Sequence, residues 1–387
     1  MRYELIATAT FGLEAVVRRE IESLDYKVLK TEDGKITFEG DERAIVRNNL
    51  WLRTADRVLL KMAEFEARTF EELFQQTKAL MWEALIPPDG KFTVTGTSVK
   101  SQLHSVPACQ GICKKAIASR LGEVYMMETL PETGAEYTVK VTILKDRVTL
   151  TVDTSGFGLH KRGYRVKTVA APIKETLAAA MVQLSFWNKD RVLLDPCCGS
   201  GTIAIEAAMI GRNIAPGLSR SFACEGWEVI DKKLWKEEKK RAYDLMDNTS
   251  KLDIVAIDID KMAIGAAKEN AVEAGVDDCI RFINADMSRI KASQPSGIII
   301  TNPPYGERIG ERKQIAAIYS KYKKFFAENP SWSMFMVTTD KDIESKVFGR
   351  KADRRRKLYN GRLEVCYYQF HGKKIGDNGK AKQAEQK

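Results

Sequence analysis

Apolar and polar positions along this chain follow three successive rhythms. Residues 2–9 alternate, as a half-buried strand does, and Leu13, Val16, Val17, Ile21 and Leu24 then recur at helical spacing. The pattern goes on to predict a hairpin of 26–29 with 35–39 across Glu32-Asp33-Gly34, a helix over 43–52 and a strand over 57–65. A second rhythm predicts a helix over 70–85, a strand over 92–99, a helix over 108–121, and a hairpin of 137–144 with 147–152. From residue 171 the pattern changes. A helix through Phe186 comes first, and short, largely apolar runs at 192–194, 254–257, 280–283 and 297–301 then alternate with helical stretches, which points to buried strands. A helix over 315–328, a strand over 333–337 and a hairpin turning on Asn360-Gly361 complete the series.

These rhythms divide the chain. Residues 1–66 make a small α+β module, ferredoxin-like in element order, and 67–154 make a second module. Residues 155–170 are a Gly-rich, basic connection, 171–372 an α/β domain, and 373–387 a Lys/Gly/Gln-rich tail with too few core residues to order. An insertion over 212–251 holds Trp227, Trp235 and a Lys/Glu-rich helix over 231–246; its pattern says only that it is amphipathic and faces solvent. No internal repeat is visible.

Composition narrows the class. At 387 residues, 44% hydrophobic and 29% charged, the chain suits a soluble protein of two or three domains. No apolar run approaches the ~18 residues of a membrane span and no leader opens the chain, so a cytoplasmic location is expected. Seven cysteines at irregular spacing give no metal pattern and fit a reducing compartment. The net charge of +10 suits a polyanionic partner.

The candidate chemistry sits at strand ends. The run Val192-Leu193-Leu194-Asp195 leads into Pro196-Cys197-Cys198-Gly199-Ser200-Gly201-Thr202, a glycine turn at a helix start where a nucleotide-like ligand could lie. Gly199-x-Gly201-x-x-Ala204 also fits a dinucleotide fingerprint. Asp195 would repel a pyrophosphate but suits a cationic amino-acid group. The next strand-ending acid, Asp258, comes far later than the roughly 20 residues expected of a ribose acid in a dehydrogenase. Asp258 can chelate ribose hydroxyls, with Asp260 a lesser candidate, and Asp286 can accept from an adenine amino group. At the end of the 297–301 run, Asn302-Pro303-Pro304-Tyr305 joins an amide oxygen, a rigid turn with free carbonyls, and a flat ring. Such a set can hold the two hydrogens of an exocyclic amino group and stack its base.

Asp195-Pro-Cys-Cys-Gly-Ser-Gly201 and Asn302-Pro-Pro-Tyr305 resemble the cofactor and catalytic loops of S-adenosylmethionine-dependent amino-methyltransferases. Over residues 1–372 the chain is similar to the THUMP-domain enzymes that modify guanine N2 in RNA, above all the bacterial large-subunit rRNA methyltransferases. The resemblance implies a Rossmann-like methyltransferase sheet with a C-terminal antiparallel hairpin, preceded by ferredoxin-like and THUMP modules. It implies S-adenosylmethionine held by Asp195, Cys197, Gly199, Gly201, Thr202, Asp258, Ile259 and Asp286, and catalysis by Asn302, Pro303, Pro304 and Tyr305. The implied partner is RNA, rRNA in preference to tRNA, with no membrane, metal or obligate protein partner. RNA contacts are expected from Lys100, Lys114, Lys115 and Arg120 in the THUMP module and from Arg162 and Arg165 in the basic connection. Two rivals stand beside this reading: an RNA-binding protein without activity, and carbon-5 methylation with Cys197 or Cys198 as nucleophile.

Overall fold

The computed structural model describes residues 2–169, 172–292, 294–305 and 309–374. It divides into two compact units: the first holds Met1–Ala9, Val17–Leu159 and Arg220–Asp244, the second Thr10–Val16, His160–Ser219 and the chain from Leu245 onward.

In the first unit the chain runs β1 (Tyr3–Ala9), the later turns of α1 (Glu14–Ser23), β2 (Val28–Glu32), β3 (Lys35–Gly40), α2 (Glu42–Trp51) and β4 (Ala55–Glu66). It continues through α3 (Phe70–Lys78), β5 (Lys91–Val99), α4 (Val106–Tyr125), β6 (Glu136–Leu144) and β7 (Arg147–Asp153). All seven strands form one sheet, ordered β2-β3-β1-β4-β7-β6-β5. Strand β4 is the reason. Its twelve residues are long enough for Leu59 and Leu60 to face β1 on one side and Val152–Asp153 of β7 on the other, so the two expected modules share a backbone ladder. The helix expected over 70–85 stops at Lys78. The indole of buried Trp82 donates to the Thr77 carbonyl at 2.8 Å, satisfying a last-turn acceptor and folding the chain back into a short 3-10 turn.

The second unit contains α5 (Glu175–Leu184), β8 (Leu193–Asp195), α6 (Thr202–Gly211), β9 (Ile254–Asp258), α8 (Lys261–Glu273), β10 (Ile280–Asn284), β11 (Ile298–Thr301), α9 (Ile309–Glu328), β12 (Ser333–Thr338), β13 (Arg354–Asn360) and β14 (Leu363–Phe370). Helix α7 (Lys232–Asp244) belongs to the first unit. The sheet order is β10-β9-β8-β11-β12-β14-β13, parallel except for β14, which runs antiparallel to both neighbours. The largely apolar runs now have their explanation. Leu193, Ile254, Ile298, Ile300, Phe335 and Val337 face one core with α5, α6 and α8, while Leu194, Val255, Ile299, Met334 and Met336 face a second core with α9. Both faces of the sheet are covered, so neither alternate position can be polar. The α/β fold class with its C-terminal antiparallel hairpin is the architecture found.

The middle of the insertion, Arg220–Asp244, belongs to the first unit. Trp227 stacks on Tyr137 of β6 at 4.9 Å and donates to the Glu136 carbonyl at 3.0 Å. Glu238 of α7, 1% exposed, takes hydrogen bonds of 2.7–2.9 Å from Arg43 and Arg47 of α2. Of the expected disordered tail, residues 375–387 lie outside the described residues. No helix among the described residues is long and apolar enough to cross a membrane.

Candidate active site

Every candidate cofactor and catalytic residue lies in the second unit, in the loops that follow its strands. Asp195 ends β8 fully buried. Its Oδ1 receives a long contact, 3.4 Å, from the Cys197 amide, and its Oδ2 has no hydrogen-bond partner. Burial, together with the Asp258 carboxylate, pushes its carboxyl well above the usual range. The glycine turn is tied down by its own backbone. The Cys198 amide donates to the Ile257 carbonyl at 2.9 Å and the Gly201 amide to the Cys198 carbonyl at 2.8 Å. Gly201 has φ +82°, and a Cβ there would lie 3.0 Å from the Cβ of Ala267 in α8, so only glycine closes this turn without strain. Asp258 accepts from the Gly199 amide and the Asp260 amide, each at 2.9 Å, which fixes its carboxylate against the turn. Asp260 caps α8 through the Met262 amide at 2.8 Å. Ile259 follows with 72% of its surface exposed, an apolar face beside the strand end.

The basic connection has a structural job. Buried Arg162 pairs with Glu206 of α6 at 3.3 Å, and the Tyr164 hydroxyl donates to the same carboxylate at 3.0 Å. Arg165 pairs with Glu175 of α5 at 2.8 Å and donates to the Ile173 carbonyl and to the Thr202 hydroxyl, at 2.8 and 3.0 Å. Both arginines were expected on the RNA path. Their charges are instead taken up inside the second unit, where they brace the first turn of α6. Asn270 of α8 completes the brace by accepting from the amides of Val166 and Lys167 and donating to the Ser200 carbonyl.

Asp286 is already engaged. It caps the turn Met287–Arg289 and holds Lys321 of α9 with both oxygens at 2.7 Å. The Lys321 ammonium keeps this carboxyl low, at about 2. An acceptor for an adenine amino group was expected here; the carboxylate found is also one half of an ion pair.

The candidate catalytic loop follows β11. Pro303 is buried and Pro304 exposed, while half-buried Tyr305 packs against the core. The Tyr305 hydroxyl donates to Asn302 Oδ1 at 2.6 Å, which orients the side-chain carbonyl. Beneath the loop, fully buried Tyr322 of α9 places its hydroxyl 3.1 Å from Thr301 Oγ1 and 3.8 Å from Cys197 Sγ. It thereby joins the glycine turn to the end of β11. Burial pushes the Cys197 thiol up to about 12 and Cys198 well above its usual value, so neither is a thiolate nucleophile near neutral pH.

Tyr322 and Lys321 were missed in the sequence, where 315–328 reads as an ordinary amphipathic helix. In the first unit, Lys100 follows β5 and Lys114 and Lys115 stand exposed on α4. Lys114 lies 3.7 Å from Glu132, and Arg120 is paired bidentately with Glu83, which removes it from the free cations of that surface.

These residues fit the expected cofactor. An unpartnered buried carboxylate suits a cation, a glycine turn admits close approach, and a carboxylate fixed at the end of β9 suits a diol. Comparison with known proteins bears on the family and on the cofactor itself. The profile described as RMKL-like, methyltransferase domain, matches residues 162–369, the RlmL ferredoxin-like domain matches 4–59, and the THUMP domain matches 67–153. The chain belongs to the RMKL-like methyltransferases. A Bacillus subtilis protein, YpsC, provisionally named an RNA methyltransferase, is 50% identical over 96% of this chain and 97% of its own. The ribosomal RNA large subunit methyltransferase K/L of Syntrophotalea carbinolica is 32% identical over 95% of this chain, which spans only 53% of that longer protein. The crystal structure of the methyltransferase-like SMU.472, a complex with SAH, superposes with a TM-score of 0.92 at 44% identity, covering 97% of this chain and 99% of that one. The S-adenosylmethionine expected for this RMKL-like enzyme accords with that complex.

Proposed function

We propose that this RMKL-like methyltransferase transfers a methyl group from S-adenosylmethionine to the exocyclic N2 of a guanine in 23S ribosomal RNA. The observation that carries the reading is Asn302 Oδ1, held by the Tyr305 hydroxyl at 2.6 Å just past the end of β11, the strand beside β8 and its terminal Asp195. The likeness to the large-subunit K/L enzyme supports the rRNA target, and the THUMP and ferredoxin-like matches support an RNA substrate.

When bound, the cofactor supplies a methyl group already activated by its sulfonium, so no protein nucleophile is required. The cofactor's positive charge would favour the ionised form of Asp195, and that carboxylate would in turn offset the charge in a buried site. Asp258 takes the ribose hydroxyls while its amide contacts keep the glycine turn in register. Asn302 Oδ1 and the Pro303 carbonyl would accept the two amino hydrogens of guanine, leaving the nitrogen lone pair free to take the methyl group. The Tyr305 ring stacks on the base, and its hydroxyl keeps Asn302 from turning away. The proton leaves to water once the nitrogen is quaternised. A base in a helical target must be extruded to reach this loop.

Nucleoside mass spectrometry of rRNA and tRNA from cells lacking the protein tests the reading. Loss of N2-methylguanosine from 23S rRNA is expected. Loss confined to tRNA would move the substrate, and loss of a ring-carbon methyl would overturn the chemistry.

A further inference from the structure

We propose that the outer face of α7 is a second RNA-contact surface that takes the phosphate backbone of the substrate. The proposal rests on the reading that RNA is the substrate and adds a site which neither motif implies. Trp235, Glu238 and Ala242 mark the buried side of this helix. Lys233, Lys236 and Lys240 stand exposed on the far side, with Lys232 and Tyr243, itself 57% exposed, on its flank. At 1.5 Å rise per residue, the four lysines form a column about 12 Å long.

Most of the charge on this face is not neutralised from within the helix. Glu237 is turned to Arg43, Glu238 is buried under Arg43 and Arg47, and Asp231 caps the Lys233 amide. Asp244 pairs with Lys240 at 2.6 Å, but both side chains are well exposed, and such a pair yields readily to a phosphate. Among the described residues Lys232, Lys233 and Lys236 have no ion-pair partner. A merely solvated helix has no need of a fixed orientation. This one has it: a buried carboxylate gripped by two guanidiniums and the Trp235 indole stacked on Phe222 at 5.4 Å set which side faces out. Lysine is a compact point charge suited to phosphate, and Tyr243 offers a flat face to an unpaired base at the end of the column.

The test compares the parent chain with Lys232→Glu/Lys233→Glu/Lys236→Glu in fluorescence anisotropy against a labelled, unmodified RNA stem-loop carrying single-stranded flanks, over a salt series. RNA affinity should fall at least about tenfold at low salt, and the slope of log K against log salt should shrink by roughly 2, since each lost phosphate contact removes about 0.7–0.9. The thermal shift on adding S-adenosylmethionine should be unchanged. Should the reversal variant fold poorly, the Lys→Gln triple variant decides the matter with a smaller loss in the same direction. Parent-like affinity and slope in a folded variant would overturn the proposal and leave the guanine reading standing. Failure of the parent chain itself to bind RNA would overturn both.

Discussion

At Asn302 a single oxygen would face two tasks in the proposed reaction, since it accepts from the Tyr305 hydroxyl and would also accept from the guanine amino group. Asn302→Ala should therefore lower kcat by about 10²–10³ while cofactor and RNA still bind, read by single-turnover methyl transfer with binding measured separately. Tyr305→Phe keeps the ring and loses only the orienting hydrogen bond, a contact of about 1 kcal/mol, so its kcat should fall by roughly an order of magnitude or less. Asp258→Ala should abolish most of the thermal shift from S-adenosylmethionine, because it strands both the ribose hydroxyls and the Gly199 amide; an unchanged shift would remove Asp258 from the site. Asp195 behaves differently. Its carboxyl is held above its unfolded value, so the native state keeps a proton that the unfolded chain releases above about pH 4. The stability this position contributes is full below that pH and is lost as pH rises toward the folded value. Asp195→Asn should melt higher than the parent near neutral pH without cofactor, the gap should close toward pH 4, and cofactor affinity should fall. A variant that melts lower at neutral pH while binding cofactor normally would contradict this account.

At the scale of elements, what could be read from the sequence was whatever lies next to its own punctuation. Asp195, Gly199, Gly201, Asn302 and Tyr305 sit beside glycines and prolines at the ends of unbroken apolar runs, so strand, turn and chemistry are legible together. Lys321 and Tyr322 were illegible because their partners, Asp286, Thr301 and Cys197, lie 35, 21 and 125 residues away and no local pattern marks the pairing. Arg162 and Arg165 were misread for a related reason. A basic run looks the same whether water or Glu206 and Glu175 answer its charges. The shared sheet of the first unit escaped notice because a strand long enough to serve two modules has the same alternation as a shorter one. Where α6 meets α8 the turn has no latitude. Gly201→Ala places a Cβ against Ala267 in a left-handed backbone and should cost about 1–3 kcal/mol, seen as a lower melting temperature and a weaker response to S-adenosylmethionine.

Across the whole molecule, the excess of +10 is a net figure that hides where charge is free to act. Arg43, Arg47, Arg120, Arg162 and Arg165 are consumed by Glu238, Glu83, Glu206 and Glu175, so counting arginines overstates the surface open to RNA. What remains in the first unit is mostly lysine: Lys100 after β5, and Lys114 and Lys115 on α4, whose ammonium groups lie 5.7 and 5.9 Å from the rings of Phe92 and Phe74. Those rings hold the lysine stems without cancelling their charge. Replacing Lys100, Lys114 and Lys115 by alanine should weaken RNA binding and flatten its salt dependence by roughly 2 in slope. Arg120→Ala, by contrast, should act mainly on stability, since it leaves Glu83 without its partner. The cofactor thermal shift should survive the lysine substitutions because every cofactor candidate belongs to the other unit. If RNA affinity and salt slope outlast the triple substitution, the THUMP surface lies elsewhere on the first unit; if the Arg120 variant instead reproduces the lysine phenotype at full thermal stability, the Glu83 pair opens to admit phosphate.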